Sequence, residues 1–157
     1  MKKKRVVIIS LLLLLVSVIG ISSYFLFKDK INLLDVDHSA VDWNGKKQKD
    51  TSGEENTIAI PGFEKVTLYA NETTQAVNFH NPEINDCYFK ISLIHPDGSV
   101  LWISDLIEPG KGMYSIELEK TLAVGKYENA VLKYECFSLN DQSPLNGSEI
   151  NLKLVVV

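Results

Sequence analysis

Apolar and polar residues alternate with a period of two over most of this chain. From residue 57 onward the alternating runs are short and are bounded by Gly, Pro, Asn and Asp, as β-strands joined by turns are. The alternation predicts strands over residues 57–60, 64–70, 75–79, 87–94, 99–106, 112–118, 125–139 and 148–157. Seven or eight strands at intervals of about 8 to 12 residues are typical of an all-β sandwich.

Three short segments between these runs have the composition of tight turns. Residues 95–99 (HPDGS) and 108–112 (EPGKG) place Pro, Asp or Gly at turn positions. Residues 144–148 (PLNGS) contain Asn146-Gly147, a dipeptide that favours two-residue hairpin turns. We therefore expect a hairpin at Asn146-Gly147.

The N-terminus predicts a membrane anchor. Residues 1–5 are basic, and residues 6–27 form an uncharged stretch of 22 residues. As a helix this stretch is roughly 33 Å long, which is enough to cross a bilayer. The basic cap at residues 1–5 is expected to stay in the cytoplasm, which places the C-terminal domain outside it. The prediction is a single-pass protein of the cell membrane whose sandwich follows a transmembrane helix.

A cleaved signal peptide is the alternative, because Gly20-Ile21-Ser22 offers a small-x-small cleavage site. The apolar run continues beyond this site to Phe27, which favours a signal anchor. Residues 28–56 are mostly polar and charged and are interpreted as a stalk, with Leu33, Leu34 or Trp43 as residues that pack on the domain or at the membrane.

Residues 57–157 have the size of one domain and an acidic composition. They contain 7 Lys, no Arg and 13 Asp and Glu, which gives a formal charge of 7 − 13 = −6. This charge argues against nucleic acid and anionic lipid as partners of the domain. The absence of Arg also argues against a bidentate clamp for phosphate or carboxylate.

Leu122, Gly125 and Tyr127 precede and open a long predicted strand. This spacing resembles the tyrosine corner of immunoglobulin-like and fibronectin-like sandwiches, in which a Tyr hydroxyl bonds back to the preceding connection. The resemblance implies that residues 125–139 form strand F, that 112–118 and 148–157 form strands E and G, and that Cys87 opens strand C.

The only two cysteines, Cys87 and Cys136, then lie on strands C and F, which are antiparallel neighbours in such sandwiches. The register expected from this resemblance sets Cys87 opposite Cys136 and Phe89 opposite Tyr134, all on the inner face. We predict a disulfide between Cys87 and Cys136, and the alternative is two reduced, buried thiols. The pair has no Cys-x-x-Cys spacing, so a catalytic or metal-binding role is not expected.

No sequence motif predicts an enzyme. The chain lacks G-x-S-x-G, H-E-x-x-H and P-loop patterns. A metal site built from His80, His95 and Asp86 is less favoured than solvated loop residues at these positions. The prediction is a protein without catalytic residues, metal or cofactor.

Two loops and one tryptophan are candidates for binding a partner. The loops before strand C and after strand F are expected at one end of the sandwich, where recognition loops cluster, although ordinary polar turns are an equal alternative. Trp102 lies in a run that is apolar on both faces, which indicates either full burial or an adhesive edge strand. The candidates are Asn81, Pro82, Glu83, Asn85, Asp86, Asn140, Asp141 and Trp102.

These features together predict a membrane-tethered extracytoplasmic interaction or structural module that binds another protein. An accessory part of a surface, secretion or conjugation apparatus is one example. A small-ligand or inhibitor-type β-sandwich is the alternative, and a metal-binding protein or enzyme is less favoured. The basic start, the stalk and the segments NPEINDCYF and YECFSLNDQSPLNG look similar to short membrane-anchored proteins of Gram-positive bacteria.

Overall fold

The structure, a computed structural model, describes residues 33–45 and 57–157. These residues form an all-β fold with two sheets, as the alternation predicts. The strands are β1 (Val41–Asp42), β2 (Lys65–Leu68), β3 (Thr74–His80), β4 (Cys87–Ile94), β5 (Val100–Ile103), β6 (Lys111–Glu117), β7 (Gly125–Ser138) and β8 (Pro144–Val156). The predicted strand at 57–60 is absent, and those residues are irregular.

Five strands form the larger sheet, in the order β2-β8-β7-β4-β5. The strands β4, β5, β7 and β8 pair antiparallel, whereas β2 pairs parallel with the end of β8. The long strands β7 and β8 are central, because each has a strand on either side. Their alternating buried and exposed positions are those of a sheet with one face in the core.

The smaller sheet has the order β1-β6-β3 and includes part of the predicted stalk. In β1, Val41 and Asp42 pair with Gly112 and Lys111 of β6. Residues 34–45 belong to the same compact unit as residues 57–157. A strand of two residues leaves no alternating pattern in the sequence, because its pairing uses backbone groups alone. The cap at 1–5, the predicted span at 6–27 and most of the stalk lie outside the described residues.

The two sheets enclose an apolar core between them, which makes the fold sandwich-like. Phe79 of the smaller sheet packs on Trp102 of the larger one, with ring centroids 5.8 Å apart. Within the larger sheet, Phe89 meets Tyr134 edge to face at 5.3 Å. Burying side chains of this kind stabilises the fold by about 1.5–3 kcal/mol each relative to exposure.

The register between β4 and β7 corrects the predicted one by two residues. Cys87 lies opposite Ser138 and Phe89 lies opposite Cys136. The inward-facing set was predicted correctly, because a shift by two preserves the face on which each side chain lies. The predicted direct opposition of Cys87 and Cys136 was wrong, and the two cysteines are diagonal neighbours instead.

The turn between β7 and β8 also differs from the prediction. Asn146-Gly147 lies inside β8, at a register irregularity opposite Glu135, and does not form the turn. The chain reverses at residues 139–143, where Ser138 N donates to Ser143 O and Gln142 has φ of 55°. Asn146-Gly147 therefore lies at a β-bulge and not at a hairpin turn. Glycine inside a strand is typical of bulges.

The hydroxyl group of Tyr127 donates to Ala123 O at 2.9 Å, as the resemblance to a tyrosine corner implies. Leu122, in the same connection, is buried in the core. Among the described residues, no helix is long and apolar enough to cross a membrane.

Candidate partner-binding site

The loops predicted to bind a partner lie at the same end of the sandwich. Residues 81–86 lead into β4 and residues 139–143 follow β7, and the first residue of β4 pairs with the last residue of β7. The connection from β5 to β6 reaches the same end, because Ile107 bridges to Phe89. We call this the cleft end of the sandwich.

Two asparagines inside the loop at 81–86 hold it in place. Asn81 Nδ2 donates to Cys87 O at 2.8 Å and to Ile107 O at 2.9 Å. Asn85 Nδ2 donates to Asn81 Oδ1 at 2.8 Å and to Ala59 O at 2.9 Å, while Asn85 Oδ1 accepts from Ala59 N at 2.7 Å. Both side chains are buried and hydrogen-bonded, so they fix the loop and do not meet solvent.

The other predicted residues divide by exposure. Pro82 and Trp102 are buried, whereas Glu83 and Asp86 are exposed. Asn140 and Asp141 are also exposed, at the tip of the turn at 139–143. Trp102 packs against Phe79 in the core. Of the two alternatives predicted for Trp102, burial is therefore the one observed, and the residue is not part of an adhesive edge. Of the eight residues predicted, four present their side chains to solvent.

A cleft of about 690 Å³ opens beside the fixed loop. Its walls come from three segments: the end of β1 and the residues after it, the loop at 81–86, and the turn before β6. Pro82, Ile84 and Pro109 supply apolar surface, and Asp42 and Glu83 supply carboxylates. A volume of this size is in the range of ligand-binding clefts.

Ile84 is the exposed large hydrophobic residue of the cleft lining. Its side chain is 72% exposed, although the next residue, Asn85, is buried and anchored. An isolated exposed aliphatic residue needs no explanation, but here it lies at the edge of a concave surface on a loop whose backbone is fixed. That combination is typical of a contact residue for a partner.

The back wall of the cleft is a stacked pair of rings. Trp43 lies on His80 with centroids 3.8 Å apart and an interplanar angle of 9°. Trp43 Nε1 donates to Asn78 Oδ1 at 2.8 Å, which fixes the ring. Gly112 permits this stacking, since a Cβ atom there would lie 2.8 Å from Trp43 Cδ1 and 2.9 Å from Phe79 O. The sequence signal was Trp43 itself, which alternates with Val41 in an otherwise polar segment.

The electrostatics of the cleft end are acidic. Lys111 Nζ lies 2.6 Å from Asp42 Oδ1, and this hydrogen bond lowers the pKa of Asp42 and raises that of Lys111. Glu83 has no counter-ion among the ion pairs of the described residues. The cleft therefore offers an unneutralised carboxylate beside apolar surface.

The cysteines lie near this end but inside the core, and the structure contains both as free, buried thiols. The hydrogen bond with Cys87, together with burial, raises the pKa of Cys136 above its ordinary value. The same hydrogen bond lowers the pKa of Cys87, against the opposing effect of burial. The hydrogen bond between the two thiols means that their sulfur atoms are in contact, so the disulfide between Cys87 and Cys136 stays a prediction.

No metal centre is apparent in the part of the chain that the structure describes, where no three His, Cys, Asp or Glu residues converge. His80 and His95 lie at opposite ends of the sandwich, His80 at the end of β3 and His95 in the turn after β4. The conceivable site of His80, His95 and Asp86 is therefore not assembled. No protein-family model, curated protein or solved structure matches the chain.

Proposed function

We propose that this protein is a membrane-tethered, extracytoplasmic interaction module. Its immunoglobulin-like or fibronectin-like sandwich binds another protein at the cleft end. The cleft with Ile84 on its fixed loop is the observation that carries the proposal. The apolar stretch at residues 6–27 and the basic residues before it support the tether and its orientation.

The pairing pattern supports the immunoglobulin-like assignment. Strands β3 and β6 pair as strands B and E do in such folds, and β4, β7 and β8 are adjacent as strands C, F and G are. The hydrogen bond from Tyr127 is that of a tyrosine corner. The chain departs from antibody domains in that β3 contains no cysteine to bond with β7.

A preformed surface also supports the binding role. The anchoring of residues 81–86 by two buried asparagines means that little loop entropy is lost when a partner binds. The exposed Ile84 then loses water contact on binding, and burial of an aliphatic side chain contributes about 1.5–3 kcal/mol. Neither feature needs a catalytic group.

Affinity capture of the full-length chain from cross-linked membranes tests the proposal. Ile84→Glu places a charge on the contact surface, and we expect it to remove most of the captured partner. Val124→Glu is the matched control, since Val124 is equally exposed at 72% but lies in the connection before β7, at the opposite end. Equal capture by the two variants contradicts binding at the cleft.

Protease digestion of intact cells tests the tether separately. We expect protease to remove the domain from intact cells and to leave the first thirty or so residues protected. Protection of the domain would contradict the extracytoplasmic orientation while leaving the cleft proposal to the capture experiment.

A small-ligand sandwich is the second candidate, and the cleft volume of about 690 Å³ favours it. A small ligand would be bound without any protein being captured. Mass spectrometry of the purified full-length chain under native conditions, compared with Ile84→Glu, separates the two candidates.

A further inference from the structure

We propose that the partner contacts the cleft with a lysine- or arginine-rich segment that also carries aliphatic side chains. This inference rests on the proposed function and names the chemistry of the partner. The cleft with Ile84 at its edge is where the partner segment binds. The charges around the cleft indicate the chemistry of that segment.

The charges at the cleft end are strongly one-sided. Seven acidic side chains of the described residues are exposed there. Among the described loops and strand starts at this end, the one lysine is Lys111, which lies 2.6 Å from Asp42. The acidic residues are Asp35, Asp42, Glu83, Asp86, Asp105, Glu108 and Asp141. Such a surface attracts cations over a distance of about 8–10 Å at physiological salt and repels acidic partners.

The location of the charges matters more than their number. Glu83 lines the cleft and Glu108 immediately precedes its wall at Pro109. A basic side chain at the cleft edge can reach either carboxylate while its neighbours contact Ile84 and Pro109. Apolar contacts then supply affinity, and the charges supply orientation and rate of association.

The competing occupant is the chain itself, because Gly45 lines the cleft and is followed in the sequence by Lys46, Lys47 and Lys49. These lysines lie outside the described residues and carry the same charge as the proposed partner segment. The two cases are distinguished by replacing the three lysines, so both are included in the test.

The probe is a short synthetic peptide with paired lysines on each side of Leu-Pro-Leu, and a second peptide has glutamine in place of every lysine. Binding to the full-length chain in detergent is measured by fluorescence anisotropy at low and at high salt. We expect the lysine peptide to bind and the glutamine peptide to bind at least about threefold more weakly, with the difference lost at high salt.

The variant Glu83→Gln/Glu108→Gln removes two charges at the cleft. We expect it to weaken binding of the lysine peptide about three- to tenfold. The control Glu72→Gln/Glu119→Gln removes the same net charge at the opposite end, where both residues are exposed, and is expected to bind as the unaltered chain does.

Equal weakening by both double variants would overturn the inference, because it would mean that only overall charge matters. Binding that appears only after Lys46, Lys47 and Lys49 are changed to Gln would also overturn it, by assigning the cleft to the chain itself. If Ile84→Glu abolishes partner capture but the cleft double variant leaves it unchanged, the proposed function stands and only the basic chemistry is refuted.

Discussion

Replacing Asn81 by alanine tests whether the loop at the cleft is fixed by the buried asparagine pair. The Asn81 side chain is fully buried and makes three hydrogen bonds, to Cys87 O, Ile107 O and the Asn85 amide. Asn81→Ala removes all three and leaves their partners with fewer bonds in a site from which water is excluded. Its backbone bonds to Lys111 and Gly110 remain.

The expected loss follows from the number of bonds. Each hydrogen bond of this kind contributes about 0.5–1.5 kcal/mol net, so three give about 2–4 kcal/mol. That is a large part of the 5–15 kcal/mol by which a domain is typically stable. The loop should also become less ordered, which weakens any partner bound through Ile84.

Urea unfolding of the full-length chain in detergent, followed by tryptophan fluorescence, measures this loss as a lower midpoint with an unchanged slope. Asn140→Ala is the matched control, because Asn140 is exposed on the other loop at the same end and its change should stay within about 0.5 kcal/mol. A cost below about 1 kcal/mol for Asn81→Ala would refute the assignment of Asn81 as the residue that fixes the loop.

Three further changes test the fold by the same unfolding assay. Tyr127→Phe loses the hydroxyl bond at 2.9 Å and should cost about 0.5–1.5 kcal/mol, and no change would argue against a tyrosine corner. Gly147→Ala places a Cβ atom 2.3 Å from Tyr134 O and should cost about 1–3 kcal/mol, whereas Gly62→Ala, with no atom within 4 Å, should be nearly neutral. Cys136→Ala should cost less than about 2 kcal/mol while the thiols are free, against roughly 4 for loss of a disulfide, and a reductant-dependent gel mobility would contradict the free thiols.

The strands were predictable because the signal for each is local. Residues 87–94 were predicted with both ends correct, since a run that alternates with period two and is bounded by turn residues specifies a strand on its own. The register was harder, because shifts by two residues keep the same face buried and the alternation cannot distinguish them. No turn fixes this register, because β5 and β6 lie between β4 and β7 in the chain. Asn146-Gly147 was also the wrong turn for the hairpin of β7 and β8.

The sequence predicted which loops form the candidate site, but not which of their residues are buried and which are exposed. Asn81 and Asn85 resemble solvent-exposed loop residues in the sequence, and only the fold reveals that their amides satisfy buried backbone groups. Trp43 and Asp42 were assigned to a stalk, because one short strand in a polar segment leaves no periodic pattern. Ile84 was in the predicted loop, yet its exposure depends on which of its neighbours face inward.

Photo-cross-linking from single positions shows whether a partner binds at the cleft end. A photoreactive amino acid at position 84 or at position 124 of the full-length chain reports which end of the sandwich touches a partner in intact cells. We expect a discrete cross-linked protein from position 84 and none from position 124, although the two native side chains are equally exposed at 72%. Cross-links from position 124 alone, or equal yields from both positions, would contradict a partner bound at the cleft end.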